Sequence, residues 1–309
     1  MSQQDNKTHT FDFGEIDWDV YESHRPPYPR ALYEMIFQHH GENGGRWDTA
    51  LDVGAGGGIV TKVLLEHFQH VACSDAAAGY VSQAGRRFAQ ESNARRASFL
   101  ERKFDEFNPD TDFPNGSLVD MVTAGTCIHF GDPSKLTTQL APLTRSGGTL
   151  AAFSYGSVPI LPIDEPARQH IAGTKDKIIR WFHENVKNLD QIDATGTPQA
   201  RYNNVDFEPT LWTDVRRITS LPGEHVFPEW IKTSESRVRA EVERVEVVQD
   251  DFITRTVDYG YFPEYFRNLA PGYDISGLIA DDLKKIKEVL GDRMVLAKWP
   301  LIMVLASRR

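Results

Sequence analysis

The chain is short of cysteine, of basic charge and of long apolar runs, and each shortage removes a class of function. Two cysteines, Cys73 and Cys127, cannot build a disulfide framework in 309 residues. Both fall in apolar, strand-like patterns and read as buried thiols. Lys and Arg number 34 against 44 Asp and Glu, a formal charge of −10. A surface of that sign has no general attraction for nucleic acid or anionic lipid, so neither partner is expected. No apolar run approaches the roughly 18 residues of a membrane span. The longest, "WPLIMVLAS", is strand-sized. The opening "MSQQDNKTHTFDFGEIDWDV" has no basic n-region and no apolar h-region. Residues 1–17 are expected to be mobile, and the protein to be soluble and cytoplasmic.

Several site motifs are also missing. In "LDVGAGGGIV" the glycines stand at Gly54, Gly56, Gly57 and Gly58. Counting from Gly54 the sixth position is Ile59, and from Gly56 it is Thr61, so the dinucleotide pattern G-x-G-x-x-G fits neither register. This disfavours a nicotinamide dehydrogenase. No G-K-[ST] follows, which excludes a P-loop, and no G-x-S-x-G elbow is present. The pairs His39–His40 and His67–His70 lack Cys or acid partners at zinc spacing, so no metal is expected.

What is present is an alternation of strand and helix patterns. A helix led by Pro29 ends at "GENGG". A strand at Thr49–Val53 runs into the glycine turn and a helix over Ile59–His67. "HVACSD", "ASFLERK", "SLVDMVTAGT" and "GGTLAAFSYG" read as further strands, with a helix in "AAAGYVSQAGRRFAQES". Another, in "DPSKLTTQLAPLT", has Asp132 as its expected N-cap. Such alternation predicts parallel βαβ units in a doubly wound sheet. It stops near Gly156. Beyond it lies an aromatic-rich region in which "TLWTDVRRI" and "VERVEVVQ" alternate like strands, one of them expected to return to the sheet. "DDLKKIKEVLG" reads as a helix stopped by Gly291, and "PLIMVLASRR" as a last buried strand.

The turn Asp52-x-Gly54-x-Gly56-x-Gly58 between strand and helix resembles motif I of class I S-adenosylmethionine (SAM) methyltransferases. Two acids at the next strand ends, Asp75 and Asp105, strengthen the likeness. "YESHRPPYP" is similar to the N-terminal segment of the trans-aconitate methyltransferase-like group of small-molecule carboxyl O-methyltransferases. "TAGTCIHF" and the "GGTLAAFSYG" strand match that group too. The resemblance covers about residues 18–157 and the last ten or so. It implies an α/β, Rossmann-like class I methyltransferase fold: a seven-stranded, mostly parallel sheet with a largely helical cap inserted after the fifth strand. The corresponding divisions are an N-terminal arm and helix at 1–40, a SAM-binding core at 41–157, a cap and substrate region at 158–295 and a C-terminal strand at 296–309.

The resemblance implies SAM as cofactor and S-adenosylhomocysteine (SAH) as product, held by Tyr21, Asp52, Gly54, Ala55, Gly56, Asp75, Ala76, Phe104, Asp105 and Thr126. Asp52 is expected to face the ammonium of the methionine end, Asp75 the ribose hydroxyls and Asp105 the adenine amine. The acceptor is expected to be a small molecule. A carboxylic acid is ionised already and needs no base, only cationic and hydroxyl donors to orient it. Arg25, Tyr28 and His129 are the candidate catalytic and substrate-binding groups, with Tyr261 and Tyr265 as cap contacts. Trp181, His183, Arg201, Tyr202 and Arg267 are further candidates there. The acceptor remains open between an aconitate-like or aromatic or furan dicarboxylate, methylated to an ester, and a phenol or amine with His129 as base. A third reading is a fold that binds SAM without transfer. The oligomeric state is open, a homodimer among the options.

Overall fold

A computed structural model describes residues 16–156, 158–161, 165–185, 196–224, 227–249 and 251–309. The stretch expected to be mobile therefore lies, up to residue 15, outside the described residues. Helices α1 (Trp18–Ser23) and α2 (Arg30–Glu42) precede the sheet. Then β1 (Thr49–Val53), α3 (Ile59–His67), β2 (His70–Asp75), α4 (Ala78–Phe88) and β3 (Ala97–Glu101) alternate as the periodicity predicts. A short α5 (Pro109–Asp112), β4 (Val119–Gly125), α6 (Leu136–Leu140) and β5 (Thr144–Tyr155) follow. Asp132 does not cap the α-helix after it. Its carboxylate accepts from Ser134 N–H and Oγ instead, and α6 begins only at Leu136.

After β5 come α7 (Glu165–Asn185), α8 (Gly196–Gln199), β6 (Trp212–Thr219), β7 (Glu243–Val247), β8 (Ile253–Val257), α9 (Tyr261–Arg267), α10 (Ser276–Leu290), β9 (Val295–Trp299) and β10 (Leu301–Arg308). The main sheet has eight strands, one more than expected, in the order β3-β2-β1-β4-β5-β10-β6-β7. Both alternating segments return to it. β6 pairs with β10, and β7 adds in parallel to β6, covering backbone groups that would otherwise stay unpaired at an edge. Only β10 is antiparallel to its neighbours. Pro300, which has no N–H to donate, divides the apolar C-terminal run, and β9 pairs with β8 in a separate two-stranded sheet.

Side chains alternate across each strand, so the sheet carries two apolar layers. In β5, Ala151 and Phe153 face the layer formed with α2, α3, α7, α9 and α10, while Leu150 and Ala152 face the layer holding Leu136, Leu140, Phe207 and Trp212. Strand order reverses between β1 and β4, and in open parallel sheets that is where a ligand crevice forms beyond the carboxyl ends.

Candidate active site

A cavity of about 720 Å³ opens at that reversal. Its floor comes from the ends of β1, β2, β4 and β5. Its roof comes from the segment 16–28, from α7 and from residues 268–271. Tyr21, Arg25, Tyr28, Asp52, Gly54, Ala55, Gly56, Asp75, Ala76, Phe104, Asp105, Thr126 and His129 all lie in its wall.

The turn after β1 bends through positive φ at Gly54 (+61°), Gly56 (+53°) and Gly58 (+85°), which side chains rarely adopt. Asp75 sits across it, accepting from Gly56 N–H at 3.0 Å and from Ala77 N–H at 3.0 Å. The glycines also serve packing. A Cβ on Gly57 would stand 2.5 Å from the Trp18 indole, and one on Gly54 would stand 2.5 Å from Cys127 Cβ. α1 is thus laid directly on the loop, held by Trp18 Nε1 donating to Gln83 at 2.8 Å and by Arg87 donating to Glu22 at 2.6 Å.

Asp52 is 1% exposed and takes hydroxyl hydrogen bonds from Thr61 at 2.7 Å and Thr123 at 2.8 Å. Burial pushes its pKa up to about 6 despite those two donors. The Thr61 N–H is a further donor to the same carboxylate. Asp105 is exposed at the cavity rim.

Arg25 is clamped rather than mobile. Its Nε donates to Tyr155 Oη at 2.8 Å and its Nη1 to the Asn268 carbonyl at 3.1 Å. The guanidinium lies over the rings of Tyr21 and Tyr155 at 5.2 and 5.4 Å. None of its contacts among the described residues is a carboxylate. Tyr28 shares a hydrogen bond of 2.5 Å with Thr126 Oγ1, and Thr126 itself sits at φ +54°. His129 is buried against Phe130, with Nδ1 3.4 Å from Tyr202 Oη. Burial, aided by the Arg25 charge, lowers its pKa to about 3, so it is neutral at physiological pH and a weak proton acceptor.

The cap contacts differ from expectation. Tyr261 and Tyr265 are 6% and 1% exposed and pack on each other and on Trp299, away from the cavity wall. An aromatic at helical spacing serves a core as readily as a pocket, and here α9 turns both into the core. Trp181 packs on Tyr273, Arg201 donates to the Glu224 carbonyl, and Arg267 pairs with Glu264. Of those further candidates only His183 lines the cavity. Tyr155, Lys175 and Asn268, not singled out from the sequence, do line it. Tyr155 was within reach of sequence reasoning, since it ends a strand at the carboxyl edge.

Fold and site together define an α/β enzyme with a nucleoside-type cofactor crevice. A family model described as a methyltransferase domain matches residues 50–148. Methyltransferase nsrG of Aspergillus novofumigatus is 35% identical over 195 residues, covering 62% of this chain and 70% of that protein. Methyltransferase AacuQ of Aspergillus aculeatus is 27% identical over 99% of this chain and 97% of its own. A solved structure from Anaeromyxobacter dehalogenans, assigned as a type II methyltransferase, superposes with a TM-score of 0.52 at 18% identity, covering 92% and 97% of the two chains. The chain belongs to the methyltransferase family, and it is a SAM-dependent enzyme. The bare turn, the acid at the tip of β2 and the buried acid under the turn fit a cofactor with an amino-acid end and a ribose.

Proposed function

We propose that the enzyme methylates a carboxylate oxygen of a small-molecule acid, giving a methyl ester, with an aconitate-like or an aromatic or furan dicarboxylate as acceptor. Arg25 carries the reading. It is a permanently charged fork in the cavity wall, fixed by Tyr155 and Asn268, and its described contacts supply no counter-charge. An acceptor carboxylate would provide one.

SAM, when bound, supplies a methyl group on a positively charged sulfur. In this reading Asp75 and Asp105 hold its ribose and adenine. Asp52 and the bare turn of Gly54, Ala55 and Gly56 hold its methionine end. Ala76, Phe104 and Thr126 flank it, and Tyr21 covers it. Arg25 and Tyr28 orient the acceptor, and His129, neutral, contributes a hydrogen bond rather than proton abstraction. Phenol or amine methylation with His129 as base is the weaker alternative because of its lowered basicity. Label transfer from methyl-tritiated SAM into a panel of acids, phenols and amines tests the proposal. A labelled product released by mild alkali supports the ester; a label that survives alkali overturns it.

A further inference from the structure

Thr126 follows β4 in a backbone conformation that threonine resists. Its φ is +54°, and among the described residues it is the only β-branched one at positive φ. Glycine would take that φ without cost and asparagine at little, so the turn by itself gives no reason for a threonine. The position is locked from both sides. Thr126 N–H donates to the Phe153 carbonyl at 2.7 Å, and the next residue, Cys127, donates through Sγ to the Val53 carbonyl at 2.9 Å. Strain of this kind persists where the surroundings over-determine it, and it gathers at sites of function.

What threonine brings is a hydroxyl on a stiff stem in the cavity wall. Its Oγ1 lies 2.5 Å from Tyr28 Oη, so one of the two hydroxyls donates to the other. The Tyr28 ring is held independently. Pro27 and Pro29 flank it in the chain, and it packs edge-on against Phe153 at 5.0 Å and beside Tyr155 at 5.8 Å. Packing fixes the ring but leaves its O–H free to rotate. A Tyr28 that gave its proton to Thr126 would present only lone pairs to an anion. With Thr126 as donor, the Tyr28 proton is left for the cavity that both residues line. We propose that Thr126 is a positioning residue, whose hydroxyl donates to Tyr28 Oη and so aims the Tyr28 O–H at the acceptor carboxylate. The inference rests on the carboxylate reading above, with Tyr28 as an acceptor contact, and adds the residue that makes Tyr28 a donor. Burial holds the Tyr28 pKa well above the ordinary tyrosine value, so the proton is there to be aimed.

The test reads acceptor KM, kcat, SAH affinity and thermal midpoint in Thr126→Val, Thr126→Ser, Thr126→Gly, Tyr28→Phe and the pair Tyr28→Phe with Thr126→Val, on an aromatic or furan acid. Thr126→Val keeps the branched shape that flanks the cofactor and loses only the hydroxyl. It should raise acceptor KM by roughly 3- to 10-fold, the range for a neutral hydrogen bond, with kcat and SAH affinity within about threefold. Thr126→Ser keeps the hydroxyl on a looser stem and should hold KM within about twofold of wild type. Thr126→Gly should lose KM as Thr126→Val does, yet its thermal midpoint should stand at or above that of Thr126→Val, because glycine releases the strain. In the Tyr28→Phe background Thr126→Val should cost nothing further, since its hydroxyl acts only through Tyr28. An unchanged KM in Thr126→Val, no rescue by serine, a further loss in the double variant, or SAH affinity falling as far as acceptor KM rises each overturn the role of Thr126 and leave the ester reading intact. A midpoint for Thr126→Gly below that of Thr126→Val shows a side chain held for packing and overturns it too. An unchanged KM in Tyr28→Phe removes Tyr28 from the acceptor site, and Thr126 with it. Label found in no acid, or only in an alkali-stable product, removes the ester reading and this inference together.

Discussion

Replacing Arg25 is expected to weaken acceptor binding more than the chemical step. Arg25→Ala should raise acceptor KM by roughly 10- to 100-fold, as loss of a charged hydrogen bond does, with a smaller fall in kcat. Arg25→Lys should not restore it, since a single ammonium cannot serve Tyr155, Asn268 and a carboxylate from one plane. Steady-state kinetics at saturating SAM decide this, and a variant of unchanged KM would remove Arg25 from the acceptor site. Asp52 gives a second expectation, in pH. Its pKa is pushed up to about 6, so as pH falls through that value it takes a proton and loses the charge that attracts an ammonium. SAH affinity measured by calorimetry should therefore decline from pH 7 to pH 5. In Asp52→Asn it should be weaker at pH 7 and flatter across the range. His129, lowered to about 3, adds no titration there. A limb in kcat near pH 6.5 that vanishes in His129→Gln would return it to the role of base.

At the scale of elements, α1 has six residues, too few to hold helical form by themselves, so its fixed position depends on its anchors. Asp17 caps it by accepting from the N–H groups of Asp19 and Val20, Trp18 presses on the glycine turn, and Glu22 reaches Arg87. Gly57→Ala has no backbone reason to fail, because its φ is not positive, but the added methyl would meet the indole at 2.5 Å. Gly57→Ala and Trp18→Ala should therefore behave alike. Each should speed hydrogen exchange in residues 18–25 and weaken SAH by about tenfold, with protection of β1 and β4 retained, since local opening need not propagate to the sheet. If Gly57→Ala left α1 protection intact, the contact would be too soft to anchor the helix. The sequence made β1, the turn and α3 readable because three signals coincide there: a strand-length apolar run, positive-φ residues and a helical period. The anchoring of α1 was not readable, because the partners of Trp18 are far along the chain. Nor could the cap aromatics be sorted, since Tyr261 and Tyr265 obey the same spacing whether they face core or cavity. Lys175, buried on α7, reads in the sequence as an ordinary solvated lysine, because nothing there says which face of that helix is covered.

For the whole molecule, what matters is how the later chain is fastened to the cofactor-binding side of the sheet. β10 enters antiparallel beside β5, and β6 and β7 extend the sheet from it. Arg217 on β6 is 3% exposed, donates through Nε to Glu243 on β7 at 2.6 Å, and through Nη1 and Nη2 to the carbonyls of Tyr202 at 2.6 Å and Val205 at 2.9 Å. One guanidinium thus ties the outer strands to the segment whose Tyr202 touches His129. Arg217→Ala would leave the buried Glu243 with only the more distant Arg239, at 3.9 Å, and would remove the side-chain donors of the Tyr202 and Val205 carbonyls, of which Tyr202 keeps the Val205 N–H, a loss of roughly 3 kcal/mol, the low end for a broken buried pair. Against a total of about 5–15 kcal/mol for native proteins, that is a large fraction. The cofactor cradle lies on β1, β2 and β4, across β5 and β10 from this junction. The two regions should therefore separate experimentally. Urea unfolding of Arg217→Ala should show the lowered stability, and saturating SAH should raise its midpoint by the same free energy as in wild type, because ligand stabilisation depends only on affinity and concentration. A variant that lost SAH affinity in proportion to its stability would mean that outer strands and cradle fold and bind as one unit.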